Sequence, residues 1–365
     1  MSNFIVSARK YRPQTFASVV GQDHITRTLK NAILTDQLPQ AFLFCGSRGV
    51  GKTTCARILA KTINCEHRTP DGEACNECES CRSFAAGSSL NIFELDAASN
   101  NGVDEMRKLT EQVQFPPQSG RYKVYIIDEV HMLSSGAFNA FLKTLEEPPT
   151  YVKFILATTE KNKVIPTILS RCQVFDFKRI EVIDIQHHLE YVAQQEGVAY
   201  EPEALELIAT KAEGGMRDAL STFDQLVNFT QGNLTYQACL ENLNVLDSDY
   251  YFRLVDLFRE QQLGPTLLLY QDILTRGFGG QAFLTGLCSH LRNLMVSLDP
   301  QTLSLVEGGD KLRQRYLAQS QQCGLPLLLQ YLNIASDFEY RFREAVNKRL
   351  FVEIALTKLA TLGQQ

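Results

Sequence analysis

The sequence predicts a three-layer α/β domain followed by an all-helical region, and three observations predict it. Short, wholly apolar runs alternate with helical segments over the first half of the chain. The first of those runs ends at a glycine-rich loop, "GSRGVGKT" (46–53), which itself opens a helix. After "FDFKRI" (175–180) the apolar runs stop, and everything downstream reads as helix. Strands that are apolar at every position are covered on both faces, so the alternation describes a mostly parallel sheet between helical layers.

In chain order, a helix over 22–35 precedes the strand "AFLFC" (41–45), and a second helix runs over 52–63. "NIFELDA" (91–97), "KVYIIDE" (123–129) and "VKFILATT" (152–159) are further strands, with helices over 103–112 and 136–144 between them. "EPEALELIATKAEGG" carries a Pro just inside its start and glycines past its end, the asymmetry of a helix. "MRDALSTFDQLVNF" follows at once, and "GNLT" (232–235) reads as a turn before another helix. Beyond 247 come longer helices: "YYFRLVDLFREQQ", "GQAFLTGLCSHLRNLMVSL", "LPLLLQYLNIASDFEYRF" and "NKRLFVEIALTKLATL". Boundaries near 179 and 244 give three parts, 1–178, 179–243 and 244–365. Two or three domains is also what 365 residues imply at roughly 150 per domain.

Hydrophobic residues make up 44% and charged residues 21%, an ordinary globular balance. Thirty-six basic against 41 acidic residues give a net charge of −5, which excludes a generally basic, DNA-coating protein. A local basic surface remains compatible, because phosphate contact needs only a few positioned Lys and Arg. "MSNFIVSARKYRPQTF" has no signal-peptide core, and no apolar run approaches the ~20 residues of a membrane span. The expected location is the cytosol, where clustered cysteines point to metal rather than to disulfides.

"GSRGVGKT" fits G-x-x-x-x-G-K-[ST] in the required context, after a buried strand and before a helix. Gly46, Ser47, Arg48, Gly49, Val50 and Gly51 turn backbone N–H groups toward phosphate oxygens. Lys52, Thr53 and Thr54 open the helix, whose N-terminus adds favourable partial charge. Lys52 is expected to reach the β- and γ-phosphates and Thr53 to hold Mg²⁺. Asp128, closing the "VYIIDE" strand, would bind Mg²⁺ through water, and Glu129 would polarise the attacking water. In "ATTE" a hydroxyl, Thr159 more than Thr158, would orient that water, although Thr at a strand end is common. A chance glycine turn and two solvated acids are the bland readings; their joint occurrence at strand ends disfavours both. His131 is expected to be structural.

Cys65, Cys75, Cys78 and Cys81 form C-x9-C-x2-C-x2-C within 64–82. Two-residue gaps let successive sulfurs converge, and four thiolates suit tetrahedral Zn²⁺ at about 2.3 Å. With all four positions taken by protein the ion would be structural. Pro70, Asp71, Gly72 and Asn76 make the intervening loop poor in apolar side chains, so metal binding would supply its fold. An iron–sulfur cluster is the competing metal reading, and unligated buried thiols the remaining one. Cys45, Cys55, Cys172, Cys239, Cys288 and Cys323 read as packing residues.

"ARKYRPQTFASVVGQ", "GSRGVGKTT", "CNECESC", "ELDAASN", "YIIDEVHMLS", "FLKTLEEPP", "ATTE", "ILSRC" and "GGMRDAL" run in one order from residue 8 to about 220. Together they closely resemble the bacterial gamma/tau family of DNA polymerase III clamp-loader ATPases. Beyond 247 only helical character and "NKRLFVEIALTKL" are similar. The resemblance implies an AAA+ P-loop NTPase domain with a zinc module, a small helical lid domain and an all-α collar domain, the collars joining five subunits in a partial ring. It implies that Arg171 in "SRC" is an arginine finger reaching ATP in a neighbouring subunit. It implies also that Arg217 contacts the same subunit's nucleotide, and that Ala8, Arg12, Pro13 and Val20 pack around adenine.

The implied cofactors are ATP, Mg²⁺ and Zn²⁺. The implied partners are other gamma/tau copies, the delta and delta-prime subunits, the sliding clamp (beta) and primed-template DNA, with "AASNNG" (97–102) a candidate DNA contact and no membrane. The implied activity is ATP hydrolysis that loads the clamp during chromosome replication in the cytoplasm, at the nucleoid. Such a subunit belongs to the polymerase holoenzyme but carries no nucleotide-joining centre of its own. The family often has a long tail that binds polymerase and helicase. The stop at Gln365 reads either as a short, gamma-like form or as a truncated sequence. Two rival readings remain beside this one. A non-hydrolysing scaffold like delta-prime is opposed by intact Lys52, Thr53, Asp128 and Glu129. Another AAA+ DNA motor, such as a Holliday-junction branch-migration motor, is opposed by the cysteine module and the helical C-terminus.

Overall fold

Five parallel strands carry the first half of the molecule: β1 (Ala41–Cys45), β2 (Ile92–Asp96), β3 (Lys123–Asp128), β4 (Val152–Thr158) and β5 (Gln173–Asp176), in the order β2-β3-β4-β1-β5. The computed structural model describes residues 5–117, 120–243, 245–306 and 309–362. The expected boundary at 244 and the ends of the chain, 1–4 and 363–365, lie outside them. The chain divides into two compact units, with the division between Leu234 and Thr235.

The apolar runs are strands because the sheet is covered twice. Phe42, Phe44, Val124, Ile126, Ile155 and Phe175 face one core, and Leu43, Tyr125, Ile127, Phe154 and Leu156 face the other. A short helix α1 (Ser7–Lys10) precedes the sheet, and α2 (Asp23–Leu34), α3 (Lys52–Ile63) and α4 (Glu79–Ala85) build the first layer through Leu29, Leu59 and Phe84. The opposite layer is α5 (Val103–Val113), α6 (Ser135–Glu146) and α7 (Pro166–Leu169), through Leu109, Phe141 and Ile168. Two lysines sit inside strands yet are buried. Lys123 donates to the carbonyls of Gln112 (2.7 Å) and Phe115 (3.2 Å) at the end of α5, and Lys153 donates to that of Leu38 (2.9 Å). Each buried ammonium thereby keeps hydrogen-bond acceptors in place of water.

Three helices complete the first unit: α8 (Val182–Glu196), α9 (Pro202–Lys211) and α10 (Met216–Phe229). Their shared core includes Leu189, Val192, Leu205, Ile208, Phe223 and Leu226, all at most 2% exposed. In the second unit α11 (Tyr236–Asn242), α12 (Ser248–Arg259), α13 (Leu263–Thr275), α14 (Gly280–Val296), α15 (Asp310–Cys323), α16 (Leu325–Arg341) and α17 (Lys348–Ala360) follow one another. The core there is built on Phe258, Tyr270, Phe283, Leu287, Tyr331 and Leu356.

Three expectations need correction. The last strand of the sheet is Gln173–Asp176 rather than "FDFKRI", because it ends with its pairing to Phe42–Cys45. Phe177 adds one further bond to the Cys45 carbonyl, and Phe177 and Ile180 are buried as packing residues. The region downstream is not wholly helical: β6 (Ala199–Tyr200) and β7 (Asn233–Leu234) pair in parallel where "GNLT" was read as a turn only. The expected long helices are joined by two that were not anticipated, α13 and α15. No helix among the described residues is long and apolar enough to cross a membrane.

His290 on α14 is 2% exposed, with Tyr316 Oη 3.1 Å from Nδ1 and Gln319 Oε1 3.4 Å from Nε2. Burial pushes its pKa down from 6.5 to about 3, and Arg315 adds to that effect. A folded-state pKa below the unfolded one means that the unfolded chain binds the proton first. Stability is therefore full above pH 6.5 and is lost as pH falls toward 3. Between pH 7 and pH 5 the parent is expected to lose about 2 kcal/mol relative to His290→Phe. Urea unfolding of both full chains at the two pH values checks this; equal pH slopes would show that the imidazole titrates normally in the fold.

Candidate nucleotide site and metal centre

The sheet register assembles the site. Cys45 pairs with Thr158 and Ile127 with Leu156, so β1, β3 and β4 end at one edge, where open α/β sheets bind ligands. Gly46 leaves β1 at φ +150°, and a Cβ there would lie 2.6 Å from the Phe177 carbonyl oxygen, so only glycine fits. A Cβ on Gly49 (φ +79°) would lie 3.2 Å from Gly215 Cα and 3.5 Å from Arg217 Cβ, so the loop abuts the first turn of α10. Val50 is buried and anchors the loop, while Gly51 caps α3 in the left-handed region. Ser47, Arg48 and Thr54 are at least partly open to solvent.

Lys52 is buried at the head of α3 and donates to the carbonyls of Gly46 and Ser47, both at 2.7 Å. Burial lowers its pKa, opposed by the carboxylates of Glu129 and Asp128. Thr53 Oγ1 donates to Asp128 Oδ2 at 2.6 Å, and the other oxygen of Asp128 accepts the Glu129 N–H at 3.0 Å. Glu129 sits at φ +48°, which turns its side chain away from the strand direction. Its Oε2 accepts the Thr159 hydroxyl at 2.9 Å and the Thr159 N–H at 3.2 Å. Thr158 turns elsewhere: its hydroxyl is 3.0 Å from His131 Nδ1 and accepts the Glu160 N–H at 3.0 Å. His131 lies between the acids, 3.4 Å from Glu129 and 3.4 Å from Glu160. Lys52, Thr53, Asp128, Glu129 and Thr159 are thus brought together.

Arg171 stands apart from this group. It pairs with Glu146 at 2.7 Å, donates to the Thr167 carbonyl at 2.8 Å, and its side chain is 35% exposed. Arg217 is exposed on the first turn of α10, beside Gly49. Ala8, Arg12, Pro13 and Val20 are half-buried. Burial lowers the Arg12 pKa, and nearby Arg57 and Arg217 lower it further while Glu94 and Asp128 oppose them.

Sequence reasoning assigned no role to Gln22. Its buried amide donates to the Lys178 carbonyl at 2.7 Å and to the Val50 carbonyl at 3.4 Å, and accepts the Lys178 N–H at 3.3 Å. That clips the loop to the exit of the sheet. Its only sequence signal is the dipeptide Gly21–Gln22. The glycine takes φ +70° against Ile180, where a Cβ would come within 2.9 Å of a side-chain carbon.

The four clustered cysteines converge as their spacing predicts. All four Sγ atoms lie within 4.8 Å of one another, with Cys65–Cys75 at 3.5 Å and Cys65–Cys78 at 4.0 Å. A tetrahedron with ~2.3 Å arms has edges of ~3.8 Å, so the donor set fits one ion and closes around it. Asn76 takes φ +62°, which lets the Glu77 and Cys78 amides reach Cys75 Sγ at 3.4 and 3.3 Å. Those N–H groups push the Cys75 thiol down to about 6, toward the thiolate a metal needs. Burial has the opposite effect on Cys65 and Cys81 of the same cluster, and on the packing cysteines, raising Cys45 and Cys323 to about 11 and Cys55, Cys172 and Cys288 to about 12. The cluster is consistent with zinc.

Two family models match the chain. One described as "DNA polymerase III, delta subunit" covers residues 21–181, and one described as "DNA polymerase III clamp loader subunit, ATPase lid domain" covers 184–232. DNA polymerase III subunit tau of Bacillus subtilis is 40% identical over 357 residues, 98% of this chain and 63% of that protein. The Escherichia coli subunit tau is 44% identical over 322 residues, 87% of this chain and 50% of that protein. DNA polymerase III subunit gamma of Buchnera aphidicola is 39% identical over 271 residues, 74% of this chain and 73% of that protein. The chain spans less than two thirds of the tau relatives' length. A phosphate loop facing two strand-end acids, a four-cysteine module beside it and a matching lid thus accompany close relatives of one kind, and the chain belongs to the bacterial DNA polymerase III gamma/tau family.

Proposed function

We propose that this chain is an ATP-hydrolysing motor subunit of a bacterial clamp loader, which opens the sliding clamp and loads it onto primed DNA during chromosome replication. The observation that carries the reading is the Lys52, Thr53, Asp128, Glu129 and Thr159 group at one sheet edge. A non-hydrolysing scaffold would have no use for Thr159 holding Glu129 at 2.9 Å.

In this reading the loop amides and Lys52 neutralise the triphosphate. Thr53 and Asp128 would hold Mg²⁺, which supplies further charge neutralisation on the phosphates when bound. Glu129 orients and deprotonates the attacking water, and Thr159 fixes the carboxylate's direction. Ala8, Pro13 and Val20 would flank the base. Arg217, beside Gly49, would report the nucleotide to the lid. Arg171, whose partners all lie off the site, is suited to a nucleotide on a neighbouring subunit; such fingers contribute about 10³–10⁵ in rate. Cys65, Cys75, Cys78 and Cys81 would hold one structural Zn²⁺. The domains are 1–178, 179–243 and 244–365, the last serving assembly. The partners are further copies, delta and delta-prime, the clamp and primed-template DNA, in the cytoplasm. The chain is a holoenzyme component without nucleotidyl transfer of its own.

Three outcomes follow. Lys52→Ala abolishes ATP binding in equilibrium titration. Arg171→Ala binds ATP as the parent does, but in assemblies reconstituted with clamp and primed DNA its turnover falls by about 10³ or more; turnover at the parent rate would remove the finger. Elemental analysis finds one zinc per chain. No stimulation of the parent's ATP turnover with all partners supplied would favour the scaffold.

A further inference from the structure

Glu73 lies on the cysteine loop, two residues before Cys75, yet its carboxylate serves another part of the chain. The residue is 6% exposed. One oxygen accepts the Phe16 N–H at 2.9 Å; the other accepts the Ala17 N–H at 3.0 Å and pairs with Lys30 Nζ at 2.9 Å. The Glu73 backbone is fixed to the loop itself. Thr69 N–H donates to its carbonyl, and its own N–H donates to Thr69 Oγ1, each at 3.0 Å. A second tie runs beside the first. Lys61, in the last turn of α3, donates to the Gln14 carbonyl at 2.8 Å and to the side chain of Asn76, between two of the clustered cysteines.

Both ties hold one segment, residues 12–20, and that segment is fastened at its ends as well. Ahead of it, Ser7 donates through its N–H and hydroxyl to Asp224, while Lys10 and Tyr11 meet Glu196. Tyr11 also stands edge-on to Tyr191 at 6.2 Å, so α1 is bound to α8 and α10. At its far end Val19 approaches Gly51, the residue that caps the phosphate-loop helix. The segment is a strap that joins the lid, the cysteine module and the phosphate loop.

We propose that the metal module is the anchor of this strap and that Glu73 is a positioning residue for the nucleotide. The inference rests on the proposed nucleotide-binding reading of the loop and strap. Apart from its cysteines, the module's buried apolar cluster contains only Ala74, so the loop takes its shape from the ion its sulfurs bind. That shape sets the position of the Glu73 carboxylate, which in turn fixes two consecutive backbone amides of the strap. Arg12, Pro13 and Val20, on either side of those amides, are placed by the same bonds. The module is thereby part of the nucleotide pocket's frame, though none of its residues belongs to the pocket.

The test uses the full chain in three forms: parent, Glu73→Ala and Glu73→Gln. Zinc is measured by elemental analysis, ATP affinity by titration, and strap order by hydrogen exchange of peptides covering 12–20. Glu73→Ala is expected to keep its zinc, to bind ATP about tenfold more weakly, and to hydrolyse bound ATP within about twofold of the parent rate in the reconstituted assembly. Glu73→Gln, which keeps an acceptor oxygen, falls between the two. Chelating the metal from the parent raises exchange over 12–20 while β1 and β3 stay protected. This arm decides the matter if Glu73→Ala does not fold. Unchanged ATP affinity in both variants, or a strap still protected after chelation, would overturn the inference. A parent that binds no ATP would overturn the functional proposal instead, with the exchange arm still deciding the anchor.

Discussion

The hydrogen bond from Thr53 to Asp128 is the contact on which the arrangement depends. Thr53 follows β1 and Asp128 ends β3, and in the sheet β4 lies between those strands. The bond therefore spans one strand, and the strand it spans delivers Thr159 onto Glu129. Parallel register makes this possible: all three strands end at the same edge, so their terminal residues meet without long loops. A shift of one residue in β4 would turn its alternating faces over and direct Thr159 into a helical layer. The apolar cores on both faces, which fix that register, are thus also what fixes the chemistry.

A second level of order lies outside the sheet. The segment before α2 is rooted in the sheet core by the buried side chains of Phe16 and Val19, and its backbone is further held by charged and polar groups: Asp224 and Glu196 from the lid helices, Lys61 from α3 and Glu73 from the cysteine loop. Buried carboxylates that accept backbone N–H bonds give directional restraint that apolar burial does not. The lid consequently touches the pocket by two routes: through the strap, and through Gly215 and Arg217 packed on the phosphate loop at Gly49.

Much of this was legible in the sequence because the decisive patterns are local. Five consecutive apolar residues before a glycine loop, two acids closing an apolar run and C-x2-C-x2-C spacing each describe one turn or one strand. Partners distant in sequence were not legible. Glu73 reads as a solvated acid until Phe16 and Ala17 are folded against it, and Gln22 as a polar helix start until Lys178 returns beside it. The last strand was placed too late because Phe177 and Ile180 are apolar for packing reasons, against Gly46 and Gly21. The α13 helix carries Gly264–Pro265 in its first turn, a pair that reads as a turn, and α15 is mostly polar, so neither advertised itself. Lys123 and Lys153 show the converse, charged residues inside strands made tolerable by helix-end and loop carbonyls.

The claim that the strand-end acids act on ATP is tested most directly by Glu129→Gln in a single-turnover measurement, with partners, clamp and primed DNA present. The amide keeps the size of the side chain and its bond to Thr159 but is no base. The account predicts ATP affinity within about threefold of the parent and hydrolysis slower by about 10² or more. Hydrolysis at the parent rate with ATP bound would contradict it.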